Sequence, residues 1–134
     1  MGPRHFDGPK TTVSGGFFAV SDCLFCRIVR GEVPSTKLYE DDEIYAFKDI
    51  NPRAPFHALV VPKRHIAAVS EAAPADAALL GRLMLVSARL AAQAPVDGPR
   101  GFRVVVNDGP SAGQMVPHIH FHVLAGRPLV WPPG

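Results

Sequence analysis

The chain is expected to form an α+β domain, with an antiparallel sheet of about five strands, one long helix and one short helix. Three observations point there. Residues 74–94 carry Leu79, Leu83, Val86 and Leu90 at the 3, 4 spacing of a helix with one buried stripe. Five short runs rich in β-branched and aromatic residues flank that helix, punctuated by proline and glycine. The strands cluster around one helix instead of alternating with several, which favours an antiparallel sheet.

The elements follow in order. Residues 1–21 are rich in Gly, Pro, Ser and Thr and lack a period, so they read as a flexible arm ahead of a domain at 22–134. His5 belongs to that arm and reads as a solvated residue. A short helix runs from Cys23 to about Arg30 and stops at Gly31. Thr36–Glu40 and Ile44–Asp49 form two strands joined by Asp41-Asp42-Glu43. Pro52 and Pro55 mark a loop. His57–Val61 has too few polar residues for a solvated face, so it is placed centrally and ends at Pro62. The long helix covers Pro74 to about Ala94, with Arg82, Arg89 and Gln93 opposite the stripe. Gly81 costs it about 1 kcal/mol against alanine, which suggests close packing there. Phe102–Asn107 is the fourth strand and Pro117–Ala125 the fifth, with a turn-rich loop at 108–114 between them. Prolines extend the tail Trp131-Pro132-Pro133-Gly134.

Composition narrows the function. The chain has 134 residues, 47% of them hydrophobic, which suits one core. Fourteen basic and 12 acidic residues leave a net charge of +2, with no basic block for a nucleic-acid backbone. Cys23 and Cys26 are the only cysteines, too few for a secreted disulfide framework. No apolar run reaches the roughly 18 residues of a membrane span. Phe17–Val20 is too short for a signal-peptide core. A reducing cytoplasm is the expected location.

The chemistry concentrates in His118-Ile119-His120-Phe121-His122. On a strand, alternate side chains share a face, so three imidazoles line one side and apolar residues the other. Three readings compete. The triplet is a polar strand face, a metal site, or a phosphorus site with a neutral imidazole nucleophile. Alternate residues lie about 6.8 Å apart, so the outer pair are too distant to share one ion easily with the middle one. Gly113 and Gln114 just upstream favour phosphate, since glycine lets backbone N–H groups approach an anion. Cys23-Leu24-Phe25-Cys26 supplies two soft ligands at C-x-x-C spacing, half of a zinc site. Bare buried thiols and a redox pair are the other readings, though no thioredoxin-like setting surrounds it.

These stretches together resemble the histidine-triad superfamily and, more narrowly, its Hint branch of nucleotide-binding proteins. The resemblance rests on the triad, Phe47–Pro52, His57–His65, Val105–Gly109, Gly113-Gln114, Gly126-Arg127 and Trp131–Gly134, in that family's order, over about residues 22–134. It implies a hydrolase of purine nucleoside phosphoramidates or acyl-phosphates. His120 would attack the α-phosphorus to give a nucleotidyl-histidine, with His118, His122 and His57 around it. Asp49 would hold the ribose hydroxyls. Phe25, Phe47 and Ile50 would wall the base. Asn107, Gly113, Gln114 and Val116 would contact ribose and phosphate. A structural zinc held by Cys23, Cys26, His65 and His118 is also implied. So is a homodimer with the Trp131 tail reaching the partner's site. Met115 departs from the pattern, since some Hint proteins carry a serine there that protonates the leaving amine, and a thioether has no such proton. A nucleotide-binding regulatory protein with incidental hydrolysis, and a dinucleoside polyphosphate hydrolase, are the alternatives.

Overall fold

A computed structural model describes residues 22–134; the expected arm at 1–21 lies outside the described residues. Helix α1 spans Leu24–Val29. Strands β1 (Lys37–Glu40), β2 (Ile44–Lys48) and β3 (Phe56–Pro62) follow, then helix α2 (Ala77–Gln93), β4 (Phe102–Val106) and β5 (Phe121–Ala125). The strands form one sheet in the order β1-β2-β3-β5-β4, and every neighbouring pair is antiparallel. The α+β expectation holds. Among the described residues, no helix is long and apolar enough to cross a membrane.

The period-2 alternation divides the core. Phe56, Ala58 and Val60 of β3 and Phe121, Val123 and Ala125 of β5 face α2, where Leu79, Leu83, Val86 and Ala91 close over them. Ser87, fully buried in that helix, donates its hydroxyl to the Leu83 carbonyl at 2.8 Å, so it leaves no unpaired polar group. The opposite face of β3 turns Leu59 and Val61 toward Tyr45, Phe47 and the α1 residues Cys23, Phe25, Cys26 and Ile28. Two apolar clusters thus sandwich the sheet, and the histidines sit on the α1 side.

Three expectations need correction. The strand expected from Pro117 begins only at Phe121. Neither Pro117 nor Pro62, across from that stretch, has an N–H for a ladder. Instead, His118 N–H turns back to the Val116 carbonyl at 2.8 Å, and Ile119 N–H reaches Ile66 O at 2.8 Å. The long helix is α-helical only from Ala77, with a single 3₁₀ turn at Pro74–Asp76. Gly81 does not mark close packing, because a Cβ built there meets nothing within 4 Å. At the other end of α2, Arg100 donates to the carbonyls of Ala92, Ala94 and Val96 at 2.7, 3.0 and 3.1 Å. That guanidinium satisfies carbonyls that a helix end leaves orphaned.

Candidate functional site

Five imidazoles crowd the α1 face of the sheet, and the protons on four of the rings follow from their partners. A carbonyl only accepts, and a backbone amide N–H only donates. His120 Nδ1 lies 2.8 Å from the His118 carbonyl, so Nδ1 carries the hydrogen and Nε2 keeps a free lone pair. The amide of Arg53 donates to His57 Nδ1 at 3.0 Å, so the His57 hydrogen is on Nε2. His57 Nε2 points at His122 Nδ1, 3.0 Å away, and donates to it. His122 therefore carries its own hydrogen on Nε2. Asp49 Oδ2 lies beside this pair, 3.4 Å from His57 Nε2 and 4.0 Å from His122 Nδ1.

Burial keeps these rings neutral. It lowers the pKa of His120, against the opposing pull of the His118 carbonyl and Asp49. It does the same for His57, where Asp49 opposes and Arg53 assists. His122 is pushed down to about 4, by burial first and then by His120 and His57. A neutral imidazole with a free Nε2 is the nucleophilic form.

A second corner lies on the same face. His118, 0% exposed, points its Nε2 at the Pro62 carbonyl at 2.8 Å, so its Nδ1 is free of hydrogen. That nitrogen lies 3.3 Å from Cys23 Sγ, 3.6 Å from Cys26 Sγ and 3.3 Å from His65 Nδ1. Cys26 Sγ is also 3.3 Å from His65 Nδ1. All four donor atoms lie within 4.8 Å of one another. A tetrahedral zinc with bonds of about 2.3 Å to sulfur and 2.05 Å to nitrogen would separate two nitrogens by about 3.3 Å and a sulfur from a nitrogen by about 3.6 Å. The donors fit. Burial, with Cys23 nearby, pushes the Cys26 thiol up to about 12, so a cation is what would hold it as thiolate. Burial pushes His118 down to about 4, which keeps its ligating nitrogen unprotonated.

Asp49, His57 and His122 also form a group with metal-type donors. Their hydrogens argue against an ion. A metal on His57 Nε2 would require the hydrogen on Nδ1, where the Arg53 amide already donates.

Phe25 joins the corners. It lies between the two cysteines in sequence, and its ring stands edge-on to His120 at 5.1 Å, to His118 at 5.9 Å and to Phe47 at 5.6 Å. Phe25 and Phe47 are buried, and Val116 packs partly buried against the same cluster. Ile50 stands apart, 89% exposed on the loop after β2. Asn107 lies beside Gly113, where a Cβ would meet its Nδ2 at 3.8 Å. Gly113 adopts a φ of +94°, a left-handed conformation that glycine takes without strain.

The loop amides differ from expectation. Gly113 N–H is spent on Pro110 O at 3.0 Å and Gln114 N–H on Gly109 O at 3.1 Å. The Gln114 side chain accepts from Gly109 N–H and donates to Ala67 O and Val116 O, so it braces the loop. Met115 is 87% exposed. Sequence reading missed the roles of Arg53 and Pro62, because they act through a main-chain amide and a main-chain carbonyl that nearly every residue type carries; only Pro52 and Pro55 beside Arg53 hinted at a constrained backbone.

A family model described as the HIT domain matches residues 30–129. The chain is 44% identical over 116 residues to a 14 kDa zinc-binding protein of Zea mays, covering 85% of this chain and 89% of that protein. Its fold is similar to the crystal structure of a HIT family hydrolase from Legionella pneumophila, with a TM-score of 0.79 and 45% identity, covering 84% of this chain and all of that one. It is also similar to a Zn-bound histidine triad family protein from Mycobacterium smegmatis, with a TM-score of 0.69 and 34% identity over 81% of this chain and 78% of that one.

Proposed function

The chain belongs to the HIT domain family, and from that premise we propose that it hydrolyses purine nucleoside phosphoramidates through a nucleotidyl-His120 intermediate. The supporting observation is the bond from His120 Nδ1 to the His118 carbonyl, which leaves the Nε2 lone pair free on a neutral ring. Nε2 attacks the α-phosphorus, and the P–N bond breaks with its electron pair leaving on the amine. Water then attacks the same phosphorus and releases the nucleoside monophosphate and neutral His120. Dividing one displacement into two lowers each barrier. His122, held by His57, presents Nε2–H as the donor to a phosphate oxygen, where charge builds up in the transition state. In this reading Asp49 takes the ribose hydroxyls, Phe25, Phe47 and Ile50 form the base-binding side, and Val116 contacts ribose and phosphate. Met115 offers no proton, so the leaving amine takes one from water or from the imidazole side.

Cys23, Cys26, His65 and His118 would hold a structural zinc, which would cross-link α1 to the segment that carries His120 into β5. The same reading includes a homodimer. Met84 and Leu85 of α2 and Phe102 and Val106 of the edge strand β4 are exposed apolar residues that a second copy would cover.

Rapid mixing with adenosine 5'-phosphoramidate at low temperature, followed by intact-mass and peptide mapping, tests the chemistry. The expected product is protein carrying one adenylyl group on His120. Turnover without any such adduct, undiminished by His120→Ala, would reject the covalent route.

A further inference from the structure

His120 and His118 have their ring hydrogens placed by the carbonyls of His118 and Pro62, but His57 depends on one amide in a loop. That loop, residues 49–55, contains Pro52 and Pro55, which have no N–H with which to brace it. Its near end is fixed: Asp49 N–H donates to His57 O at 3.0 Å, and Asp49 Oδ1 accepts from Asn51 N–H at 2.8 Å. Its middle is held from outside, by the two residues that follow β5.

Arg127 Nε donates to the Arg53 carbonyl at 2.9 Å, while its Nη1 donates to Pro128 O at 2.9 Å. Gly126, at φ +98°, lies so close to the loop that a Cβ there would come within 2.9 Å of Pro55 Cβ and 3.0 Å of Val96 Cγ1. The same residue Arg53 thus accepts from Arg127 through its carbonyl and donates to His57 through its amide. A charged donor makes the stronger kind of bond to a carbonyl.

We propose that Arg127 is a positioning residue for the reaction. Its guanidinium holds the Arg53 main chain so that the Arg53 amide stays on His57 Nδ1. The His57 hydrogen then stays on Nε2, and the His122 hydrogen stays on the nitrogen that faces substrate. Gly126 makes the approach possible. Among the described residues, no imidazole bonds to Arg127, which acts through the Arg53 carbonyl. The consequence for catalysis rests on the hydrolase reading; the consequence for the ring hydrogens does not.

The full chain with Arg127→Gln is compared with wild type in two measurements. Long-range ¹H–¹⁵N correlation spectra of the histidine rings report which nitrogen carries the hydrogen. Steady-state kinetics with adenosine 5'-phosphoramidate report kcat and KM. We expect the His57 and His122 ring nitrogens to move toward a mixture of tautomers, with kcat down by about tenfold and KM within about twofold, as for a misplaced catalytic group. Arg127→Lys, which reaches one carbonyl but not two, recovers part of both. Unchanged ring spectra in Arg127→Gln overturn the proposal, whether or not kcat falls. If wild type turns over no nucleotide substrate, the hydrolase reading fails and the ring spectra alone decide. If Arg127→Gln does not fold, Arg127→Lys carries the same two readouts, with smaller shifts expected and none overturning.

Discussion

Two clusters of titratable side chains share one sheet face, and the same residue type serves opposite ends in them. Around Cys23, Cys26, His65 and His118, donor atoms converge with a lone pair turned inward. Around Asp49, His57 and His122, a hydrogen already occupies the space between the donors. The difference comes from one main-chain group per ring. A carbonyl behind His118 draws the hydrogen away from the cluster, whereas an amide behind His57 drives it in. Donor identity alone would have labelled both as metal sites; the backbone partner separates them.

The largest effect expected is on the reaction. His120→Ala should lower phosphoramidate turnover by at least about 10³-fold, the scale on which nucleophile removal acts. Metal analysis of the same variant should still find one zinc per chain, because His120 is not among the four donors. Loss of zinc in His120→Ala would break the separation between the corners.

Next is the metal corner. Cys26→Ser should leave less than about a tenth of an equivalent of zinc and lower stability by about 3 kcal/mol or more, since metal binding free energy becomes folding free energy. Metal analysis and urea unfolding, with and without chelator, measure both. Wild type should saturate at one zinc. A second tight equivalent lost on Asp49→Asn would show that the Asp49–His57–His122 corner takes metal and would refute the ring assignment.

The smallest effect is on acid stability. His122 is held down to about 4 against an ordinary 6.5, and His57 is lowered in the same direction. Between those pH values the unfolded chain binds more protons than the folded one, so stability rises with pH and is lost as pH falls through the window. His122→Asn should flatten that slope by roughly 1 to 2 kcal/mol between pH 6.5 and 4, after allowance for its partial exposure. Urea midpoints at several pH values decide it; an unchanged slope would place the burden elsewhere.

The fold was largely legible. Leu79, Leu83 and Val86 line the buried stripe that their spacing predicts, and β3 is buried along its whole length as its apolar run implies. The fifth strand was overextended because alternation continues through His118 and Ile119, whereas the hydrogen bonds that define a strand do not. Gln114 was read as a ligand for phosphate because its type suits one; its amide is committed to Ala67 O, 47 residues away in sequence.

The sequence by itself determined which chemical groups are available: three imidazoles at period two, two thiols one helical turn apart, and a buried apolar backing for both. Only the tertiary structure decided what each imidazole does. That choice depends on which ring nitrogen carries the hydrogen, and the hydrogen is placed by Pro62 O, His118 O and Arg53 N–H. Carbonyls belong to every peptide unit and amides to all but those of proline, so no residue type announces them. Folding alone brings one particular carbonyl or amide against one particular ring.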